Sequence, residues 1–414
     1  MQGPRLATLA WRNIWRNRRR TLITLLSIAF GVLLATLFTG IGDASYAQMI
    51  DQSARLAGGH VVVQNPAQLE VPSLARTIQG ADALRDRALA DPEVARAVPR
   101  IAGPAMLSTS ANSTGVAVLG VDPTLEDAET FGLLDALRAG AMFKATDAHG
   151  IVLGATLAEN LSVDLGKKVV LTVTDKRGEI ASSLARVTGI IHTGAPTIDG
   201  GICLVPIDGL RALLGYAPGE ATQLAVFVDG HRKAPGVAAR LAAGAPADVS
   251  VLTWDHAQPD LAGFITMKQT STTILEGIIT VLIAAGIFNT LFVSVMERLR
   301  EFGIMAALGF SRGQLFALVM WESLWLALCG LVAGAAVTAY PYYYLSTTGI
   351  DMSKMMPPGT EVVGVAVDPV LHVQIYGPHA ALIAAAIVLA TMSAGLYPAW
   401  KAGRVAPVET IRIV

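Results

Sequence analysis

Thr272–Val295 reads TTILEGIITVLIAAGIFNTLFVSV, 24 residues with no Lys or Arg and a single carboxylate, Glu276. As a helix rising 1.5 Å per residue it would be about 36 Å long, enough to cross a hydrocarbon layer roughly 30 Å thick. Three further stretches have the same character: Thr21–Gly42, Leu315–Tyr340 and His379–Trp400, with Glu322 the one carboxylate among them. Four spanning helices are therefore predicted. An ordinary secretory signal has an apolar core of about 7–15 residues. The first stretch is longer than 20, so it is read as a retained anchor although Ser45-Tyr46-Ala47 resembles a cleavage site.

The remaining composition agrees. Of 414 residues, 53% are hydrophobic and 15% are charged, against about 25% charged in soluble chains. The net charge of −1 gives no global field for a polyanion, which argues against nucleic acid as a partner. Residues 1–20, 296–314 and 401–414 hold twelve of the 31 basic residues within 53 positions, whereas 43–271 and 341–378 hold nineteen within 267. That asymmetry places both termini and the 296–314 loop in the cytoplasm. The expected order is a cytoplasmic elbow (1–20), span one (21–42), an extracytoplasmic domain (43–271), span two (272–295), a cytoplasmic helix (296–314), span three (315–340), a short outer loop (341–378), span four (379–400) and a cytoplasmic tail (401–414).

Residues 43–271 are long enough for a folded domain. Alternating runs at His60–Gln64, Val169–Thr174, Val187–Ile191 and Leu224–Val228 read as strands. Gly80–Ala90, Ala155–Leu161, Ile207–Leu214 and Ala234–Ala243 read as helices, so the domain is α+β. Its histidines (His60, His192, His231, His256) lack a metal-ligand spacing, and no nucleophile–base set stands out. Cys203, in the apolar run Ile202–Val205, reads as a small buried side chain. No catalytic or metal residues are assigned.

The cytoplasmic segments are richer. In residues 5–20, Leu6, Leu9, Ala10 and Ile14 share a helical face beside Trp11 and Trp15, with arginines elsewhere, which predicts an interfacial elbow helix. The loop MERLREFGIMAALGFSR (296–312) pairs Glu297 with Arg300 and Arg298 with Glu301 at i,i+3, and sets Leu299, Phe302, Met305 and Ala306 on one stripe. Gly309 is placed to stop that helix and Ser311 to cap the next. An apolar face with ionic edges suits docking into a groove of a soluble partner. Near the C-terminus, Pro398 is expected to kink the exit of span four, and Pro407 to open a last short helix. Glu276 sits about a turn inside span two, where an ionisable group is either functional or at the helix mouth. Glu322 is expected to pair with Arg298, Arg312 or an elbow arginine. Gly330 and Gly334, four apart, permit close helix packing, with Gly31, Gly40, Gly42, Gly277 and Gly286 as further tight contacts.

On these motifs, Glu297-Arg298…Arg300-Glu301…Gly303…Ala306…Leu308-Gly309 and Pro398-Ala399…Lys401-Ala402…Arg404…Pro407…Glu409…Ile411-Arg412, the chain resembles the FtsX/MacB-type permeases of ABC transporters. Gly59-His60 and Gly120-Val121-Asp122-Pro123 support the resemblance, which is nearest to the lipoprotein-releasing Lol subunits. It implies four transmembrane helices and a MacB-like periplasmic domain in the bacterial inner membrane. It also implies a second permease, identical or homologous, membrane lipids as surroundings, and a periplasmic lipoprotein carrier as acceptor. Glu297, Arg298, Arg300, Glu301, Phe302, Gly303, Met305, Leu308 and Gly309 would then form the coupling helix that docks on a separate ABC ATPase present in two copies. The sequence has no Gly-x-x-x-x-Gly-Lys-Ser/Thr loop, so ATP and Mg are expected on that partner, no cofactor is expected here, and the Lol-like or split branch is favoured. Leu26, Phe30, Leu37, Ile283, Ile287 and Leu291 would line an apolar cavity for acyl chains. Lipoprotein extraction from the outer leaflet is the leading expectation. Export of periplasmic small molecules or peptides, and regulation of a cell-wall hydrolase without transport, are the alternatives.

Overall fold

The computed structural model describes residues 3–56, 58–144, 147–357 and 360–404. Two compact units emerge: Met1–Ser45, Met267–Asp351 and Val370–Val414 form a helical bundle, and Tyr46–Thr266 with Met352–Pro369 form a β-rich domain.

Among the described residues, four helices are long and apolar enough to cross a membrane: span one (Arg18–Leu56), span two (Pro259–Glu297), span three (Arg312–Thr347) and span four (Gly377–Gly403). An arm helix (Gly3–Ile14) and a 3₁₀ turn (Trp15–Asn17) precede span one. The helices outrun the apolar stretches that announce them. Residues 43–56 contain no Gly or Pro, so nothing stops span one at Gly42. Pro259, at the first helical turn, starts span two well before Thr272. Span three passes through Pro341 to Thr347, and span four passes through Pro398, which lies buried inside it. The short helix expected from Pro407 lies outside the described residues.

Small residues set the packing. A Cβ on Gly330 would lie 2.5 Å from Ile28, and one on Gly334 would lie 2.6 Å from Val32, so the two glycines receive a matching i,i+4 pair from span one. Gly31 gives the same room to Ile283 of span two, at 2.5 Å. Gly277 and Gly286 do not act this way: nothing lies within 4 Å of a Cβ at either. At the opposite end from the arm, Asp43 accepts the Tyr376 N–H at 3.2 Å and meets His379 Nδ1 at 2.8 Å, so span one supplies a carboxylate to the N-terminus of span four. Exposed Trp11, Trp15 and Trp400 mark one end of the bundle, and exposed Tyr340, Tyr343 and Tyr344 the other. Along span three, Trp321 and Tyr340 are about 19 residues or roughly 28 Å apart, the depth of a bilayer core flanked by aromatic belts.

Among the described residues, the main sheet of the β-rich domain has ten strands: β1 (Val61–Gln64), β2 (Val94–Ser108), β3 (Ser113–Val121), β4 (Leu137–Gly140), β5 (Gly150–Gly154), β6 (Lys168–Thr174), β7 (Ile180–Ile191), β8 (Ile202–Pro206), β9 (Gln223–Val228) and β10 (Ser250–Thr253). Their order is β10-β1-β9-β2-β3-β8-β5-β7-β4, with β6 bridging β2 and β7; β3–β8 and β5–β7 are parallel. Strand β2 joins two halves. Val94–Arg100 pairs with β9, and Ile101–Ser108 pairs with β3. At the changeover sits Arg100, fully buried, donating from Nε and Nη2 to Glu126 at 2.7 and 3.0 Å and from Nη2 to the Thr130 carbonyl at 2.8 Å. Its guanidinium also lies over the rings of Phe131 and Phe227, at 5.0 and 5.6 Å. Helices Ala81–Leu89, Ala155–Leu161, Ile207–Leu214 and Ala234–Ala242 cover the sheet and close a core that includes Ile101, Leu107, Ile151, Leu157, Leu210 and Val226. Cys203 belongs to this core, and burial pushes its thiol up to about 12. A short pair, Glu361–Val362 with Val365–Ala366, also belongs to this unit.

Candidate functional site

Span two ends at Glu297, where Arg298 (φ −101°, ψ 10°) breaks the helix before Leu299–Ala307 resumes it. That break decides the pairing. Arg298 and Glu301 meet as spaced, at 3.0 Å, but Glu297 and Arg300 now lie on separate helices, and the expected Glu297–Arg300 pair gives way to a different one. Glu297 accepts both terminal nitrogens of Arg20, each at 2.7 Å, and Glu301 accepts Arg16 Nη2 at 2.5 and 2.7 Å. Arg298 also donates to Glu322 of span three at 3.1 and 3.2 Å, and Asn13 of the arm donates to the same carboxylate at 2.8 Å.

Six charges, three of each sign, thus form a network between the turn after the arm (Arg16), the start of span one (Arg20), the end of span two, the short helix and span three. Together with Asn17, Thr24, Thr290 and Ser294 they line a polar cavity of about 350 Å³. Burial works against ionisation of Glu301, but the bonds from Arg16 and Arg298 outweigh it and hold its carboxyl below the ordinary glutamate range. Of the three partners open to Glu322 in sequence, Arg298 is the one that reaches it. Local spacing does not reveal the roles of Asn13, Arg16 and Arg20. Their signal lies in a shared period: Arg16 and Arg20 are four apart, as are Glu297 and Glu301, and no acidic residue precedes Asp43.

The apolar stripe of the short helix faces inward. Phe302 is fully buried under the Arg298 guanidinium, 5.3 Å from its ring centroid, and Gly303 is buried beside it. Met305 and Ala306 pack against the core of Ala10, Leu315, Val319 and Ala399, and Leu299 is half-buried. The stripe read from the sequence as a docking face is therefore consumed by the bundle. What remains outward is Arg300, Ile304 (47% exposed), Ala307, Leu308 (77% exposed) and Gly309. Gly309 takes φ +96°, ending the helix, and Ser311 caps span three in a reciprocal box with Gln314, at 3.3 and 2.9 Å.

The arm is fixed to span three. Leu6, Ala10 and Ile14 are buried, while Leu9 leaves the predicted face and is exposed. Trp325 Nε1 donates to the Ala7 carbonyl at 3.1 Å, and Trp11 meets Trp325 edge-on at 5.2 Å.

A second cavity, about 240 Å³, lies among spans one, two and four. Ile283 and Ile287 line it with Gly31, Phe38, Leu382 and Ile387, and Glu276, Thr280 and Thr391 add polar atoms. Thr39 donates to Glu276 at 2.5 Å. Of the other residues expected at an apolar cavity, Leu291 is buried in the core, Leu37 is half-buried, and Leu26 and Phe30 point outward. Leu22, Leu26 and Phe30 form an exposed i,i+4 stripe on span one; Ile274, Ile278 and Leu282 form another on span two.

Comparison with known proteins gives the family. Residues 21–245, more than half of the chain, match the MacB-like periplasmic core domain, and residues 274–407 match the FtsX-like permease C-terminal region. The lipoprotein-releasing system transmembrane protein LolC of Xylella fastidiosa is 23% identical over 345 residues, covering 78% of this chain and 79% of its own. LolE of Haemophilus influenzae is 20% identical over 419 residues, covering 97% and 98%. The macrolide export ATP-binding/permease protein MacB of Hyphomonas neptunium is 26% identical over 366 residues, 83% of this chain but 54% of that one, so the chain spans about half of the MacB relative. The solved periplasmic region of MacB from Actinobacillus actinomycetemcomitans is 14% identical, with a TM-score of 0.34 over 51% of this chain and 91% of that one. With the periplasmic core domain matched in its first half and the permease region in its second, the chain belongs to the FtsX/MacB-type ABC transporter permease family.

Proposed function

We propose that the chain is the membrane subunit of an ATP-driven machine that lifts lipidated substrates out of the outer leaflet of the inner membrane. A separate ABC ATPase, in two copies and carrying ATP and Mg, docks on the outward face of helix Leu299–Ala307 on the cytoplasmic side, where both termini also lie. A second permease, identical or homologous, faces spans one and two. The substrate then passes to a periplasmic carrier.

One observation carries the choice of substrate: spans one and two present bare apolar stripes, Leu22, Leu26 and Phe30 on one and Ile274, Ile278 and Leu282 on the other. Two copies meeting across such surfaces would enclose a chamber that keeps extracted acyl chains out of water, where exposure would cost about 0.8 kcal/mol per CH₂. The 26% match to MacB supports the alternative, export of small molecules or peptides from the periplasm.

Proteoliposomes holding the permease, its ATPase and a labelled triacylated lipoprotein separate these readings. Release of the lipoprotein to a soluble carrier on adding ATP is the expected result. Phe30→Asp should slow that release severalfold while leaving basal ATP turnover in place. Retention of the lipoprotein during brisk ATP turnover would instead favour small-molecule export, or the non-transporting, hydrolase-regulating role.

A further inference from the structure

We propose that the N-terminal arm and the turn that joins it to span one form a working half of the coupling element, with Arg16 of the turn and Arg20 at the start of span one closing a two-rung clasp on Glu301 and Glu297 that sets the position of helix Leu299–Ala307. The proposal rests on the reading of that helix as the docking element. It adds a route: a push on the helix passes sideways through the arm into span three, as well as along span two.

The geometry is specific. The two arginines are four apart, the two glutamates are four apart, and they pair in antiparallel order, Arg16 with Glu301 and Arg20 with Glu297. The Arg20 rung is fork on fork, with separate nitrogens on separate oxygens at 2.7 Å. Both anchors of the clasp are themselves held. The Thr21 hydroxyl donates to the Ile14 carbonyl at 2.5 Å and pins the turn between arm and span one, while Asn13 and Arg298 converge on Glu322 from the two sides. Glu301 and Glu297 are 42% and 54% exposed, so the rungs stay within reach of water and can open. A clasp of this kind holds the helix when nothing presses on it and yields when a partner does. Because the arginines contact neither ATP nor substrate in this scheme, they are positioning residues.

Amide hydrogen exchange on the full-length permease in nanodiscs, without ATPase, tests the clasp directly. Arg16→Glu with Arg20→Glu should speed exchange across 299–307 roughly tenfold, since each rung lost also places like charges together. Arg16→Gln with Arg20→Gln should give a smaller rise in the same direction. The Arg20 rung is the one to exchange, because Glu301 also serves Arg298. Arg20→Glu alone should give an intermediate rise, and adding Glu297→Arg should bring protection back to within about threefold of the parent, as expected for a restored ion pair. Arg18→Glu with Arg19→Glu, the same change in charge on the neighbouring residues, should leave 299–307 unaltered. Failure of the exchange to restore protection, or an equal effect of the Arg18 and Arg19 changes, would overturn the clasp. The docking reading is judged separately. If Leu308→Asp releases the ATPase while the exchange fails, the clasp is wrong and the docking stands; if Leu308→Asp leaves the ATPase bound, the docking itself is wrong.

Discussion

A chain carrying Leu308→Asp is expected to fold and reach the membrane, and yet to lose its ATPase. Leu308 is 77% exposed at the end of the short helix and contributes nothing to the packed stripe of Phe302, Met305 and Ala306. Such a side chain costs the bundle little to change. Burying a leucine against a partner contributes about 1.5–3 kcal/mol, and an aspartate in its place adds an unpaired charge. A fall in affinity of roughly 100- to 1,000-fold follows, read as loss of co-purification in mild detergent. Ile304→Asp should act the same way, and Arg300→Glu more weakly. Phe302→Ala should do the reverse. It empties a fully buried site, costs about 3–5 kcal/mol, and lowers the stability of the bundle before it touches docking. Loss of ATPase binding in Phe302→Ala alone, with Leu308→Asp unaffected, would mean that the wrong face has been assigned.

The second large effect is expected in the β-rich domain. Glu126→Ala leaves the Arg100 guanidinium buried without its neutralising carboxylate, against the Thr130 carbonyl and the faces of Phe131 and Phe227. Breaking a buried pair from one side costs about 3–5 kcal/mol, whereas replacing both partners with apolar groups is often neutral. The single variant should become sensitive to protease at temperatures where the parent resists. Arg100→Met with Glu126→Leu should recover most of that resistance. The location explains the size of the effect. Arg100 stands where β2 leaves β9 for β3, and Glu126 and Thr130 bring the loop after β3 onto that point. Equal damage from the single and the double change would show that the pair is not what holds the two halves of the sheet together.

Much of this architecture is legible in the residues themselves. Helices Ala155–Leu161 and Ile207–Leu214 fall where periodicity places them, and the four apolar stretches all become helices. Strand β2 is hidden for a physical reason: Pro99, Gly103 and Pro104 interrupt it, yet each proline lies where β2 has a single hydrogen-bonded neighbour, so the missing N–H is tolerated. Arg100 is hidden because a lone arginine between Ala97-Val98-Pro99 and Ile101-Ala102 looks like a surface residue until Glu126 is seen to meet it.

The same limit applies at the candidate site. Local spacing finds Arg298–Glu301, because both lie within one turn of helix, but it assigns Glu297 to Arg300 and so misses Arg20, 277 residues away. It also finds the apolar stripe of the short helix without showing which way the stripe faces. Periodicity reports that a helix has a greasy side. Only the tertiary structure shows that Ala10, Leu315 and Ala399 already occupy it. The outward residues, Ile304 and Leu308, then become the candidates for docking.

Photo-crosslinking from position 308 in intact cells decides whether the short helix meets an ATPase. With a photoreactive amino acid in place of Leu308, an adduct with an ABC ATPase is expected, with weaker adducts from 304 and none from buried 302. Adducts confined to lipid, or to no protein at all, from positions 304 and 308 would contradict that docking.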